Sequence, residues 1–231
     1  MPRDDRRLNR PGMKPGEPIC WDRGYHPHME SQDHIQHVCF HLADSLPPHL
    51  VGSMAAEMKA IDPLLRNTEK EKRINAYLDA GYGSCVLREP VIADLIQQAV
   101  LHLDAQRYTQ HEWCVMPNHV HVLFQPTNGW TMSSSVASWK SFTGRRISAW
   151  MNQHAGYAGL RPGPQRVWHR EYFDRYIRDE AHYTNVVAYI HDNPVKAGLC
   201  ERPEDWKHSS AGYGRDLPAL LRAGPEPGGP I

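Results

Sequence analysis

The sequence predicts an α+β fold: a mainly antiparallel sheet with helices packed on it. Two strand-like runs, Arg107 to Met116 and His119 to Gln125, are separated only by Pro117-Asn118, the length of a tight hairpin. Residues Ile92, Leu95, Ile96, Val100 and Leu103 repeat at helical spacing. The resulting order is strand, helix, strand, strand, helix, strand and a last helix, which fits an α+β sandwich better than an alternating parallel one.

In chain order, residues 1–32 are rich in Arg, Asp, Pro and Gly without apolar period and read as a flexible tail. His34 to Leu42 holds Val38, Phe40 and Leu42 in phase, as a strand does, and Pro47-Pro48 breaks it. From His49 to about Ala80 the composition is helical, interrupted near Asp62-Pro63, and Gly81 to Ser84 forms a turn. Pro90 suits the first turn of a helix running to Asp104. After the two strands, Thr131 to Gln153 reads as a helix, 156–165 as a Gly/Pro loop, and Val167 to Ile177 as an extended segment. Asp179 can cap a final helix over 179–193, with Pro194 bounding its end. Residues 216–231 read as a second flexible tail, leaving one domain over 33–215.

Composition excludes several classes. No run of about 18 apolar residues exists, so no membrane-spanning helix is expected. The charged start lacks the apolar core of a signal peptide, so a cytoplasmic protein is expected. Five cysteines, none in C-x-x-C spacing, argue against a disulfide framework or a zinc knuckle; Cys39 and Cys114 sit in apolar runs as core residues do. The formal net charge is zero, yet Ser138 to Arg178 carries eight basic and two acidic residues among Trp139, Trp150, Trp168, Tyr172 and Tyr176. Arginine interleaved with aromatics suits phosphate contact and base stacking. It equally suits a solvated helix face over core aromatics.

The chemistry concentrates in two short motifs. In the run His119-Val-His-Val-Leu-Phe124 side chains alternate faces, so His119, His121 and Leu123 share one side and Val120, Val122 and Phe124 the other. Two imidazoles side by side on a strand are half of a metal site. The last helix carries Tyr189-Ile-His-Asp-Asn-Pro194, with Tyr189 and Asn193 four apart on one face. A tyrosine can be a covalent nucleophile, and an amide oxygen can ligate a hard divalent cation. Each residue also has an ordinary structural reading: a core histidine pair, a core tyrosine, a helix-stopping Asn-Pro.

Together, Val115-Met-Pro-Asn-His-Val-His-Val-Leu-Phe124, Trp168-His-Arg-Glu-Tyr-Phe-Asp-Arg-Tyr-Ile-Arg-Asp179 and Tyr189-Ile-His-Asp-Asn-Pro-Val-Lys-Ala-Gly-Leu199 resemble the REP-associated tyrosine transposases. These are relatives of the single-tyrosine HUH transposases of small insertion sequences. The resemblance covers about residues 33 to 215, including Leu42 to Pro47 and Trp139 to Phe142, and is weakest over 49–84. It implies a ferredoxin-like HUH fold with the histidines on a central strand. It implies that His119, His121 and Asn193 hold Mg²⁺ or Mn²⁺ and that Tyr189 is the nucleophile of a 5′-phosphotyrosine intermediate. The implied substrate is single-stranded hairpin DNA of the REP type, cut and rejoined by a monomer or a homodimer. Lys140, Arg145, Arg146, Trp168, Arg170, Arg175, Arg178 and Lys196 are the expected DNA contacts. Such a ligand set carries no charge, so weak metal binding without DNA is expected. Two rivals remain: a hairpin-binding module that does not cut, and a zinc hydrolase using His111 as third histidine. His191, two residues from Tyr189, points elsewhere on the helix and is a poor base for it.

Overall fold

The computed structural model describes residues 19–22, 27–31, 34–46, 49–50, 52–53, 57, 60–62, 65–154 and 166–213. The tail expected over 216–231 and the loop expected over 156–165 lie outside the described residues. So do 1–18 of the expected N-terminal tail.

Six strands and four helices are seen among the described residues. They are β1 (Ile19–Asp22), β2 (Pro27–Glu30), β3 (Gln36–His41), α1 (Arg66–Asp79), α2 (Pro90–Leu101), β4 (Tyr108–Val115), β5 (His119–Pro126), α3 (Met132–Gln153), β6 (Phe173–Tyr176) and α4 (Glu180–Lys196). The main sheet has the order β4-β5-β3-β6 and every pair in it is antiparallel. With helices between β3 and β4 and between β5 and β6, this is the ferredoxin-like β-α-β-β-α-β arrangement, with β3 and β5 central. Because connections are short, β4 and β5 pair through Pro117-Asn118, and β3 lies between β5 and β6. A register shift between Gln110 and Glu112 marks a bulge in β4.

Each face of the sheet has its own cover. The face bearing Val38, Phe40, Val120, Val122 and Phe124 packs against α2 and α3. There Tyr108 donates its hydroxyl to Val100 O (2.7 Å) and accepts from Trp139 Nε1 (3.0 Å), so one phenol ties β4 to both helices. Trp168, 4% exposed, stands edge-on to Phe40 and donates Nε1–H to Thr143 Oγ1 at 2.9 Å. On the opposite face, Leu123, Cys114 and Met116 meet Val186 and Ile190 of α4. Cys39 and Phe173 meet Ile74 and Leu78 of α1.

Helix ends follow local chemistry. Pro90 opens α2, Thr131 and Ser134 form a reciprocal capping box on α3, and Asp179 accepts the N–H of His182 at 2.7 Å to cap α4. Helix α4 does not stop at Pro194 as the sequence indicates. Proline removes one donor only, and in the last turn the chain still closes through Ala197 N–H to Asn193 O (3.0 Å) and Leu199 N–H to Pro194 O (2.9 Å). Of the extended segment 167–177, only β6 is strand; Trp168 makes a single bridge to Leu42.

The flexible tail expected over 1–32 does not hold for its described part. Strands β1 and β2 form a hairpin, and buried polar groups fasten it to the domain. His28 hydrogen-bonds Asp174 and, at 3.3 Å, Glu171; Asp174 also accepts Met29 N–H at 2.7 Å. Glu30 accepts the N–H and hydroxyl of Ser133, each at 3.0 Å, at the positive end of α3. Single polar residues with distant partners leave no periodic signal in a sequence. Among the described residues no helix is long and apolar enough to cross a membrane.

The burial of Trp168 sets a test of stability. Trp168→Ala is expected to lower the unfolding free energy by about 3–5 kcal/mol, the usual cost of deleting a buried indole, read as a drop in the urea midpoint.

Candidate active site

The site lies on the sheet face away from α2 and α3, where β5 and β3 run side by side under α4 and the end of α1. Alternation along β5 puts His119 and His121 on this face, each 1% exposed, as expected. Register adds a residue that the sequence did not reveal. Cys39 pairs with His121 and His37 with Leu123, so His37 shares their face one step away. Its Nε2 lies 3.1 Å from His121 Nδ1.

Helix α4 delivers Tyr189 and Asn193 together. Ile190 and Val186 are buried against the sheet, which turns the Tyr189/Asn193 face inward. The Asn193 amide lies 3.0 Å from His121 Nε2. The Tyr189 ring stands edge-on to His121 and His37, with centroids 5.3 and 6.1 Å apart. The other tyrosines are elsewhere: Tyr172 is buried beside His28, and the Tyr183 hydroxyl faces His111 Nδ1 at 3.5 Å. His191 turns away, with Nε2 at 3.0 Å from Glu112 and 2.9 Å from Ser210. His111 belongs with Tyr183 near the start of α4 and does not join His119 and His121.

Hydrogen bonds fix the state of the two strand histidines. Asn118 donates its amide Nδ2 to Leu78 O (3.1 Å) and Tyr82 O (3.0 Å), so its Oδ1 must be the atom 2.7 Å from His119 Nδ1. His119 therefore carries its proton on Nδ1 and turns the Nε2 lone pair into the site. With Asn193 Nδ2 donating to His121 Nε2, His121 likewise holds its proton on Nδ1 and donates to His37. Both imidazoles thus present Nε2, each with its other nitrogen held by a second residue, as metal-ligating histidines usually are.

Several acceptors here lack donors. His119 Nε2, Asn193 Oδ1 and Asp79 Oδ1 are buried and have no hydrogen-bond partner among the described residues. Turning the Asn193 amide over would offer its oxygen in place of its nitrogen. Two imidazole lone pairs and an amide oxygen suit a divalent cation, so the residues present fit the expected ion. Among the described residues, no group of three or more His, Cys, Asp or Glu forms a metal site. The set that fits includes the amide, which sets it apart from a closed zinc centre.

The basic residues divide. Arg175, opposite His37 across the β3–β6 pair, shares the histidine face, and its charge helps hold the His37 imidazole neutral. Lys196 lies 5.7 Å from the Tyr189 ring centroid. Arg178 is exposed where β6 passes into α4. Lys140, Arg145 and Arg146 ride on α3, which covers the other face. Lys140 donates to Arg170 O at 2.9 Å, Arg145 to Ser141 Oγ at 2.9 Å, and the Arg146 guanidinium sits 3.7 Å over Phe142. Arg170 is exposed and lies 3.4 Å from Glu171. Trp168 is corrected: its indole is a core anchor, closed off by Phe40 and Thr143, and is not placed to stack a base. Trp139, Trp168 and Tyr172, among the aromatics that alternate with arginine in the sequence, are buried, while Arg145, Arg170, Arg175 and Arg178 are exposed.

Burial dominates the electrostatics. It pushes His41 and His121 down to about 3, and His37 and His119 well below the usual imidazole range. It pushes Asp79 up to about 6, against the pull of Lys196. Unfolded, each imidazole takes its proton near 6.5. The stability these histidines contribute is therefore complete above about pH 6.5 and is lost as pH falls toward 3, by about 1.4 kcal/mol per pH unit per imidazole. Asp79 acts oppositely: its contribution is complete below 3.8 and lost as pH rises through about 6, so it offsets one imidazole between those values. With these four imidazoles depressed, those of His111, His169 and His182 lowered as well, and one carboxyl raised, the urea midpoint in the presence of a chelator is expected to fall steadily from pH 7 to pH 5. A flat profile would contradict neutral, buried histidines.

Comparison with known proteins bears out the resemblance read from the three motifs. Residues 86–193 match the family model described as "Transposase IS200 like". The chain is 30% identical over 109 residues to a Haemophilus influenzae protein provisionally named a REP-associated tyrosine transposase, covering 47% of this chain and 60% of that one. It is 25% identical over 124 residues to the REP-associated tyrosine transposase of Escherichia coli, covering 53% of this chain and 66% of that one. Each match thus spans less than two thirds of the relative's length. A solved structure of a REP-associated tyrosine transposase bound to a REP hairpin aligns over 87% of both chains with 17% identity and a TM-score of 0.49.

Proposed function

From the match of residues 86–193 to the family model described as "Transposase IS200 like", we propose that this protein is a tyrosine DNA strand transferase acting on single-stranded hairpin DNA of the REP type. The observation that carries the reading is the meeting of Tyr189 with the histidine pair: its ring is 5.3 Å from that of His121, whose Nε2 meets the Asn193 amide one helical turn along at 3.0 Å. A nucleophile beside neutral nitrogen and oxygen donors suits phosphoryl transfer.

His119, His121 and Asn193 would hold Mg²⁺ or Mn²⁺, which when bound supplies positive charge to the scissile phosphate. The chain's own residues do the rest. The Tyr189 hydroxyl attacks phosphorus as it loses its proton. The bond from phosphorus to the 3′ oxygen breaks, and that oxygen leaves as a hydroxyl. The product is a 5′-phosphotyrosine, so the phosphodiester energy is kept and a later 3′ hydroxyl can reverse the step and rejoin strands. A free phenol loses its proton only at about pH 10; the Lys196 ammonium beside the ring favours the phenolate. Arg175, on the histidine face, and Arg178, before the start of α4, would hold neighbouring phosphates. His37 and Asn118 orient the two histidines.

The test is covalent capture. With a labelled single-stranded hairpin oligonucleotide and Mn²⁺, the protein is expected to give a band on denaturing gels that carries both protein and DNA. Tyr189→Phe should abolish it, and Tyr183→Phe should not. A band that persists in Tyr189→Phe overturns the nucleophile; tight hairpin binding with no adduct under any divalent metal favours a module that grips without cutting.

A further inference from the structure

We propose that His191 is a positioning residue for Tyr189. Held between Glu112 of β4 and Ser210 of the segment that follows α4, it sets the roll of the tyrosine helix about its own axis. The inference rests on the reading of Tyr189 as the nucleophile.

Successive side chains of a helix stand about 100° apart around its axis. Ile190, fully buried against the sheet, marks the inward direction of α4. Measured from it, Asn193 and Tyr189 stand about 60° and about 100° to one side, and His191 about 100° to the other. Tyr189 therefore leans over β5 and β3, where its ring meets His121 and His37. His191 leans over β4, where its Nε2 lies 3.0 Å from Glu112 Oε2 and 2.9 Å from Ser210 Oγ. Apolar contact at Ile190 and Val186 decides which face turns inward, but it is non-directional and tolerates a small roll. A hydrogen bond has direction. One fastened on the His191 flank holds the Tyr189 flank as well, since both stand on one rigid cylinder.

Both partners of His191 are themselves fixed. Glu112 follows the bulge in β4, a feature that re-aims side chains, and pairs with Leu123 on the histidine side of the sheet. Burial raises its carboxyl, but hydrogen bonds from His191 and Ser210 outweigh this and hold it below its ordinary range, so the acceptor is a carboxylate. Ser210 belongs to a segment laid along the outer edge of β4. Its N–H donates to Trp113 O at 2.9 Å, and Val115 N–H donates to His208 O at 2.8 Å. The Ser210 hydroxyl donates to Trp113 O at 3.2 Å, so its oxygen is left to accept the Nε2–H of His191, shared with Glu112. The His191 and Glu112 side chains are 23% and 24% exposed, so water competes only in part for their bond. Ser210 lies beyond the stretch 86–193 that matches the family model. The roll of the nucleophile helix thus depends on a segment outside the three motifs. Misplacing a reacting atom by about 1 Å can cost about 100-fold in rate.

The test uses the full chain and a labelled single-stranded hairpin oligonucleotide, well below the melting temperature of each variant. Hairpin affinity is read by fluorescence anisotropy without metal. The rate of the Tyr189 adduct is read at saturating DNA with Mn²⁺. His191→Ala, and the double change of Glu112→Ala with Ser210→Ala, are expected to slow adduct formation at least about tenfold while affinity stays within about twofold of wild type. His191→Gln, whose amide can still donate to both partners, is expected to recover most of the rate. A second readout needs no DNA. In protein with isotope-labelled tyrosine rings, the nuclear magnetic resonance signal of Tyr189 is identified by its loss in Tyr189→Phe. It is expected to shift in His191→Ala and to return in His191→Gln, while that of Tyr108, in the opposite core, stays. An unchanged rate and an unchanged Tyr189 signal in His191→Ala overturn the proposal and leave the nucleophile standing. A rate that falls only as affinity falls, or that His191→Gln does not recover, overturns it too. If wild type gives no Tyr189-dependent adduct, the strand-transfer reading falls, and the ring signal alone decides whether His191 sets the roll.

Discussion

Everything at this site depends on β5 being buried on both faces. A central strand of an antiparallel sheet usually shows one face to a core and the other to water. Here the second face carries two imidazoles and is roofed by α4 and α1. Burying unpaired polar groups costs more than most folds can spare, so each imidazole needs a partner supplied by tertiary structure. His121 is served by His37 across the strand pair and by Asn193 from the helix above. His119 is served by Asn118 beside it. The hydrophobic face of the same strand, through Val120, Val122 and Phe124, supplies the burial that offsets these demands. The strand is thus an apolar anchor on one side and a rigid mount for two lone pairs on the other.

Rigidity of the mount explains why so few residues suffice. Side chains on a strand paired on both edges have little freedom, and Nδ1 contacts remove what is left. Helix α4 is set by Ile190 and Val186, so Tyr189 and Asn193 arrive at a fixed depth and rotation. Its N-terminal cap at Asp179 and its passage through Pro194 add length without altering that rotation, because Asn193 still lies one turn from Tyr189. Catalytic groups borne on helices and strands hold their geometry better than groups on loops.

The parts of this arrangement that were legible in the sequence are those governed by local period. Alternation marks His119 and His121 as neighbours, and a spacing of four marks Tyr189 and Asn193. His37 and Asn118 could not be found that way. His37 reaches His121 through strand register between segments 84 residues apart, and nothing in its own neighbourhood distinguishes it from a solvated strand residue. Asn118 reads as turn chemistry and is so, but its amide also spans the turn and the end of α1. The arginine-aromatic interleaving misled for a related reason: composition counts residues without their direction, and Trp139, Trp168 and Tyr172 point into the core. The N-terminal hairpin was hidden because its fastening is polar and specific, through His28 and Glu30, not a hydrophobic stripe.

The stretch that matches the family model is not by itself a folding unit. It begins at residue 86 and so omits β3, yet β3 pairs with β5 along one edge and β6 along the other. Without it, β5 would expose a hydrophobic edge carrying both histidines, and β6 would have no neighbour in the sheet. His121 would also lose His37. Segments before residue 86 must therefore be present for the motifs to take up their geometry, and α1 comes with them as the cover over Cys39 and Phe173.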